Sequence, residues 1–591
     1  MSLCRRLLIA CMSWLATVVG SCALPTFVFA TEADDQIVRE IDRILNLSWE
    51  QNGVVPAHVC TDLEFARRTS LDIVGHIPRL GALATLHRDS NPRSRENFVD
   101  ELLASGDYSE YWSRVWVHLL LGGAEHRISR RSALSHWVRS AFAFNKPYDR
   151  FVFELISAEG TSEMNPAVGF LGQPTGDQWK TVTRKVARVF LGMQVECTEC
   201  HNHPYNDWKQ SQFAGLNAFF QGTSMSRESL RGRGRLDELT DGPAPAIVFF
   251  ERRNGMLEAT FRQFVDGTRV EPSPSEPDRP RRELAKLIID PSRTYLAYAH
   301  VNRMWQHFFG FGFSHPVDDM GPHNPASHPE LLNLLANEFV RSGHDNKRLI
   351  RWITGSRAYQ LSSQSSPGNR LDDPQSGRLP LFSRSYLRPL TSDQFLHSAL
   401  MGIGAITDNK SWEFHTVGRG GGGCSGDEPM PKFTAVQIAA FRGAFDDDAV
   451  SENLSACFTQ NQALQIMNGE VVSLLLNSAT KTLIDPLLDE DPMHSITYRL
   501  LVPLHGSKLI QVTNRSTTRD RQRVKERSSS AQMTSRVEII YLTFLARLPA
   551  DGELRYFNLS LWRDKSENGQ RKALQDLLWA ILNSNEFMIN H

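Results

Sequence analysis

No charge of one sign dominates this chain of 591 residues: 65 Lys and Arg stand against 66 Asp and Glu, a formal net charge of −1. That balance excludes a global field drawing the protein to nucleic acid or to an anionic membrane, so no nucleic-acid partner is expected. After Ala30 no apolar run is long enough to span a bilayer. No Gly-x-Ser-x-Gly elbow marks a serine nucleophile, no His-x-x-x-His marks a compact metal site, and no paired carboxylates stand out. The glycine-rich run Gly418 to Gly423, interrupted by Arg419, lacks the Gly-Lys-Ser/Thr ending of a phosphate-binding loop and reads as a flexible loop. No internal repeat of fixed period is present. Cysteine is sparse as well, at 8.

What is there is an ordinary globular composition, 41% hydrophobic and 22% charged, at a length that favours several structural units. The first residues read as an export signal. Arg5 and Arg6 precede the apolar stretch Leu7 to Val19, and Val28-Phe29-Ala30 offers a small-residue cleavage site, which makes 1–30 a signal peptide. A retained membrane anchor, or lipidation at Cys22, is the alternative. Cleavage removes Cys4, Cys11 and Cys22 and leaves Cys60, Cys197, Cys200, Cys424 and Cys457, an odd set in an oxidising compartment where Cys424 and Cys457 are candidates for a bridge. The expected location is the periplasm, the cell envelope or the exterior.

Helical periodicity dominates from Asp34 to about Phe220, with Ile37, Ile41, Ile44 and Leu45 on one face and Phe65, Thr69 and Ile73 on another. Ile77-Pro78, Asn91-Pro92, Lys146-Pro147 and Gln173-Pro174 break the helices. Near Ala246 the period changes, and Ile247 to Phe250 and Leu257 to Phe261 flank the turn Arg253-Asn254-Gly255, predicting a β-hairpin. Glu271 to Pro277 is a proline-rich linker. Ser327-His328-Pro329-Glu330 and Thr391-Ser392-Asp393-Gln394 carry the spacing of capping boxes and predict two helix starts. Arg515 to Arg527 forms a basic polar stretch, after which Ile539, Leu542, Leu545, Leu574, Leu577 and Leu578 return to helical spacing.

The most informative residues are Cys197-Thr198-Glu199-Cys200-His201. In Cys-x-x-Cys-His the two thiols take up the haem vinyl groups and the imidazole reaches the iron, so Cys197, Cys200 and His201 predict a haem c site approached by a helix from Trp179 to Val195. Met193, His203, Met225, His118 and His126 are candidates for the far side of the iron. Other readings of the same residues are a Cys197–Cys200 disulfide, a site for zinc or another divalent metal using His201 and His203, and chance. Four donors packed into seven residues close poorly around a tetrahedral zinc, so that reading needs remote ligands.

A second constellation gathers His300, His307, His315, Asp318, Asp319, His323 and His328. On a helix His300 and His307 share a face, with Asp318 and Asp319 in the loop beyond, a donor set suited to a hard or borderline metal. Against this, loop aspartates commonly cap helices or meet arginine, and Arg303 is near.

Several segments, in order, resemble a known family. They include Glu64-Phe65-Ala66-Arg67-Arg68-Thr69-Ser70-Leu71-Asp72, Asn145-Lys146-Pro147-Tyr148-Asp149, Phe190-Leu191-Gly192 leading into Cys197-x-x-Cys200-His201-x-His203-Pro204, Val301-Asn302-Arg303-Met304-Trp305, Pro316-Val317-Asp318-Asp319 and Leu582-Asn583-Ser584-Asn585-Glu586-Phe587. The chain resembles the planctomycete cytochrome-associated domains of unknown function, in which a Cys-x-x-Cys-His domain precedes a partner domain. The resemblance implies an exported, mainly α, multi-helical two-domain protein and no particular reaction. It also implies that the separate N-terminal cytochrome c-like domain of many relatives has no room here, and that Arg515 to Arg527 is a local insertion.

The expected organisation is a signal peptide at 1–30, a helical Cys-x-x-Cys-His domain at 31–221, a small β element and linker at 222–280, a helical partner domain at 281–504, a basic polar linker at 505–535 and terminal helices of the partner domain at 536–591. The expected function is an exported haem c protein in electron transfer or an oxidoreductase system, with a redox partner protein. The alternatives are a cell-envelope scaffold with a metal or disulfide clasp, and a metal-dependent hydrolase using His300, His307, Asp318 and Asp319.

Overall fold

The computed structural model describes residues 32–122, 128–171, 178–230, 234–272, 275, 277–404, 433–445, 460–489, 536–564 and 566–591. The segment 1–30 expected to be a signal peptide, His126, the Gly418 to Gly423 loop, Cys424, Cys457 and the basic stretch at 505–535 lie outside these residues.

The fold is mainly α, as the periodicity predicts. Helices Glu32–Gln51 and Asp62–Ile73 open it, and Ile37, Ile41, Ile44 and Leu45 are buried along one face of the first. The second starts at an N-cap, Thr61, whose side chain accepts from Glu64 N–H. Thr391 forms the expected reciprocal capping box with Gln394 at the head of helix Ser392–Gly402. The other expected start is found at Pro329, but the N-cap there is His328, with no side-chain cap bond. The proline at the first helical position already removes one N–H that a cap would have had to satisfy.

The hairpin forms as predicted, Ile247–Glu251 against Leu257–Phe261, with Gly255 at φ 80° in the turn. A further sheet was not legible in the sequence. Strand Gly234–Asp241 pairs with Thr223–Leu230 on one side and with the short Gly160–Thr161 on the other.

One apolar cluster takes side chains from both sides of the expected 222–280 junction, among them Trp112, Phe190 and Phe219 before it and Leu284, Trp305 and Phe339 after it. A second joins Leu71 and Ile77 to Phe395, Leu475, Phe544, Leu578 and Phe587. Helix Asp62–Ile73 therefore belongs to both. Its polar residues explain how. Arg67 and Arg68 are fully buried, and their guanidinium groups donate to main-chain carbonyls of Phe544 and Phe587, and of Tyr359 and Leu361, respectively. Asp72, also buried, takes Arg388, Tyr359 and Asn590. A short segment of the first half thus fixes strands and helices from the far end of the chain.

Several histidines are buried in the neutral form. Burial pushes His300 down to about 3, His397 to about 3 and His328 to about 4. Between those values and the ordinary imidazole range the unfolded chain binds protons that the folded one refuses, so stability falls as pH drops through that window. Denaturant midpoints measured from pH 7 to pH 4 are expected to decrease steadily, and His300→Gln is expected to flatten part of that slope.

Candidate functional site

The approach to the Cys-x-x-Cys-His segment is a helix, but a shorter one than the expected Trp179 to Val195. Gln178–Val186 continues as a π turn, Ala187–Leu191, and stops at Gly192, which is left-handed at φ 67° and ψ 34° and closes the turn with its N–H to Ala187 O. After an irregular link, the 3-10 turn Glu196–Glu199 carries the first cysteine. Thr198, buried beneath it, donates from Oγ1 to Val195 O at 2.7 Å. The carbonyl of Cys197 accepts from Cys200 N–H at 3.4 Å and His201 N–H at 3.3 Å, so the three motif residues occupy one tight turn.

Both thiols are exposed and unpaired. The backbone around them is pinned. Gln210, at the head of helix Gln210–Asn217, donates from Nε2 to Glu199 O at 3.3 Å and to hairpin residue Glu251 O at 2.8 Å, while its main-chain N–H meets Asn202 Oδ1 at 3.0 Å. The Glu199 carboxylate lies 3.3 Å from both Lys180 Nζ and Arg184 Nη1.

The imidazoles of this loop are set to opposite tautomers. His201 Nδ1 is 2.6 Å from Asn202 O, and a carbonyl only accepts, so Nδ1 carries the proton and the lone pair stands on Nε2. His203 Nδ1 instead accepts the Tyr205 N–H at 3.2 Å, which leaves the proton of the neutral ring on Nε2. Burial, opposed by the Asp319 carboxylate, pushes His203 below the ordinary imidazole value.

The loop 316–324 packs against the root of the motif. Asp318 pairs with Arg188 and takes Gln194 Nε2 at 3.0 Å. Met320 N–H donates to Gly192 O at 2.8 Å, and Arg303 donates to Val189 O at 2.7 Å and Arg188 O at 3.2 Å. Asp319 Oδ1 accepts from His323 Nε2 at 2.9 Å, and the rings of His323 and His203 have centroids 5.9 Å apart. A Cβ on residue 192 would stand 3.0 Å from Met320 Sδ and 3.2 Å from Ala299 Cβ, at a backbone conformation side chains disfavour. Gly192→Ala is accordingly expected to cost about 1–2 kcal/mol, read as a lowered denaturant midpoint.

The second constellation is dispersed. His300 is buried in the core, stacked on Tyr148 at 3.8 Å with Nε2 on Asn346 Oδ1 at 2.7 Å. His307 donates from Nε2 to Asp72 O at 2.8 Å and packs on Trp112. His328 meets Ser48 Oγ at 3.0 Å. Neither His300 nor His307 shares a partner with Asp318 or Asp319, which meet Arg188 and His323, respectively. Among the described residues no group of three or more His, Cys, Asp and Glu side chains converges as a metal site.

Residues 40–225 match the family model PSCyt2, a protein of unknown function (DUF1549), and residues 280–414 match PSD1, a protein of unknown function (DUF1553). The chain carries these two domains in tandem. No curated protein and no solved structure matches it. The PSCyt2 segment supplies the Cys-x-x-Cys-His turn, and the PSD1 segment supplies Arg303, Asp318, Asp319, Met320 and His323. The site is therefore built where the two domains meet.

Sequence reasoning found Cys197, Cys200 and His201 but not this juxtaposition. Asp318, Asp319 and His323 stood out only as members of the separate constellation from His300 to His328, because nothing in linear order says that the loop holding them folds onto Gly192 and His203. Gln210 and Asn202 carry no chemical signal and were missed.

The donor set fits a covalently held haem. Two accessible thiols stand one turn apart, and the neighbouring imidazole keeps a lone pair on Nε2 while its other nitrogen is held by a carbonyl, the second hydrogen bond that orients a metal-bound histidine.

Proposed function

We propose that the protein is an exported haem c protein acting in electron transfer or an oxidoreductase system, with Cys197 and Cys200 as thioether anchors and His201 as the axial ligand. The observation that carries this is the state of the motif turn: both thiols are free and exposed, and His201 presents the nitrogen that an iron needs. When bound, the haem supplies one-electron redox chemistry. The protein's own part is to hold the turn. Thr198 and Gln210 fix its backbone, Glu199 is neutralised by Lys180 and Arg184, and Asp318 secures the preceding segment through Arg188 and Gln194. The signal peptide expected at 1–30 is part of the same reading, since covalent haem attachment takes place on exported chains.

The competing clasp at the same turn is less well supported, because the described residues offer no further ligands for zinc and the thiols are not joined. The hydrolase reading loses its donors to the core, where His300 and His307 are occupied.

The test is to express the exported chain in a host with haem-maturation machinery and record reduced-minus-oxidised absorption together with metal content. The expected result is a haem c spectrum. Zinc in place of haem, lost in Cys197→Ala, would establish the clasp instead.

A further inference from the structure

The hairpin beside the motif turns an apolar face to solvent. Its register sets Ile247 opposite Phe261, Phe249 opposite Ala259 and Glu251 opposite Leu257, and because side chains alternate along a strand these six share one face. The other face, where Val248 and Thr260 are buried, packs on helix Gln210–Asn217. On the outward face Phe249 and Leu257 are each 71% exposed and Ile247 48%, and Met256 in the turn is 59% exposed. Residues 251–257 are exposed without a break, so the tip stands clear of the body. Single apolar side chains on a surface are ordinary, but a cluster of them on one small sheet face marks a contact surface.

Two charges lie on this face, of opposite sign and at opposite ends. Glu251 stands at the tip end, and the Arg269 guanidinium lies 3.8 Å over the ring of Phe261 at the base end. Arg252, in the turn, is taken by Glu258 at 2.7 Å, whereas Glu251 and Arg269 have no ion partner among the described residues. A two-fold axis lying between two such faces, running across the strands at the level of Phe249 and Ala259, lays the tip end of each on the base end of the other. Glu251 of each copy then meets Arg269 of the other, with the apolar side chains enclosed between them. This is the self-complementarity that a two-fold interface requires. A lipid surface fits less well, since anionic headgroups call for cations around an apolar face and Glu251 is an acid upon it.

We propose that the protein forms a two-fold dimer through the outward faces of the hairpin Ile247–Glu251 and Leu257–Phe261, held by Phe249 and Leu257 and registered by Glu251 against Arg269. The inference goes beyond the haem reading and does not depend on it. It does bear on the motif. Gln210 Nε2 joins the hairpin, at Glu251 O, to the motif turn, at Glu199 O, so the dimer carries two Cys-x-x-Cys-His turns, each tied to the shared interface. The face is smaller than a standard interface, and association in the micromolar range is expected.

The test is sedimentation velocity on the exported chain from about 1 µM to about 100 µM, where the wild type is expected to pass from monomer to dimer. Phe249→Ser is expected to raise the dimer dissociation constant by about tenfold or more. Glu251→Arg and Arg269→Glu, each of which sets like charges opposite one another twice, are expected to do the same. Mixed together, these two reversals place every charge against its opposite again, so they are expected to dimerise with each other and not alone. Denaturant midpoints close to the wild type are expected throughout, because the substituted side chains are exposed. A wild type that stays monomeric at about 100 µM overturns the proposal, and so does a dimer that Phe249→Ser leaves intact. A mixture of the two reversals that stays monomeric overturns the pairing of Glu251 with Arg269. If Phe249→Ser does not fold, the reversals and their mixture decide the matter. A monomeric chain that pellets with phosphatidylglycerol vesicles, and fails to do so as Phe249→Ser, overturns the dimer and assigns the face to lipid.

Discussion

Asp72→Ala is expected to destabilise the fold by about 3–5 kcal/mol, the cost typical of removing one partner of a buried ion pair. The Asp72 carboxylate is inaccessible to solvent and receives Arg388 Nη2 at 2.9 Å on each oxygen, Tyr359 Oη at 2.8 Å and Asn590 Nδ2 at 2.8 Å. Its main-chain carbonyl takes His307. Without the carboxylate, the Arg388 guanidinium keeps its charge in the core with the neutral carbonyl of His307 as its hydrogen-bond acceptor and no counter-charge, while Tyr359 and Asn590 lose their acceptor. Both apolar clusters are affected, because helix Asp62–Ile73 contributes to each. Denaturant titration is the measurement, and a loss below about 0.5 kcal/mol, the range of an ordinary surface change, contradicts this account of the junction. Asp72→Asn, which keeps the shape but removes the charge, is expected to fall between the wild type and Asp72→Ala.

The sequence disclosed the helices well and the junctions poorly, for a physical reason. Ile37, Ile41, Ile44 and Leu45 announce a buried face because the helical period is local, and the Asn254-Gly255 turn announces a hairpin because its backbone demands are local. Thr391 and Gln394 cap as their spacing says. The sheet Gly160–Thr161, Gly234–Asp241 and Thr223–Leu230 was invisible, since one of its strands is only two residues long and lies far away in the chain. In sequence, the helix showed only its apolar spacing, Phe65, Thr69 and Ile73, and nothing marked Arg67, Arg68 and Asp72 as buried. They are buried because carbonyls and side chains from residues 359 to 590 meet them, and no local pattern reports such partners. The candidate site divides in the same way. A contiguous motif showed Cys197, Cys200 and His201, whereas Asp319 and His323 reach it only through the fold.

The second large effect separates chemistry from stability. The double variant Cys197→Ala, Cys200→Ala is expected to lose covalent haem completely and yet to fold with an apoprotein denaturant midpoint close to that of the wild-type apoprotein. Both side chains are exposed, they form no disulfide, and neither belongs to an apolar cluster. Surface substitutions of this kind ordinarily change stability by less than about 0.5 kcal/mol. Cys60 provides the contrast. It is buried at 3% exposure in the apolar cluster, so Cys60→Ser is expected to lower stability while leaving haem content unchanged. A double variant that unfolds would instead mark the cysteines as a structural clasp.

The most direct measurement is the mass of the proteolytic peptide containing residues 197–201, taken from protein exported by a host with haem-maturation machinery. One haem covalently added to that peptide, through both Cys197 and Cys200, is the expected result. A peptide recovered without haem, whether with free thiols or with Cys197 joined to Cys200, contradicts the account.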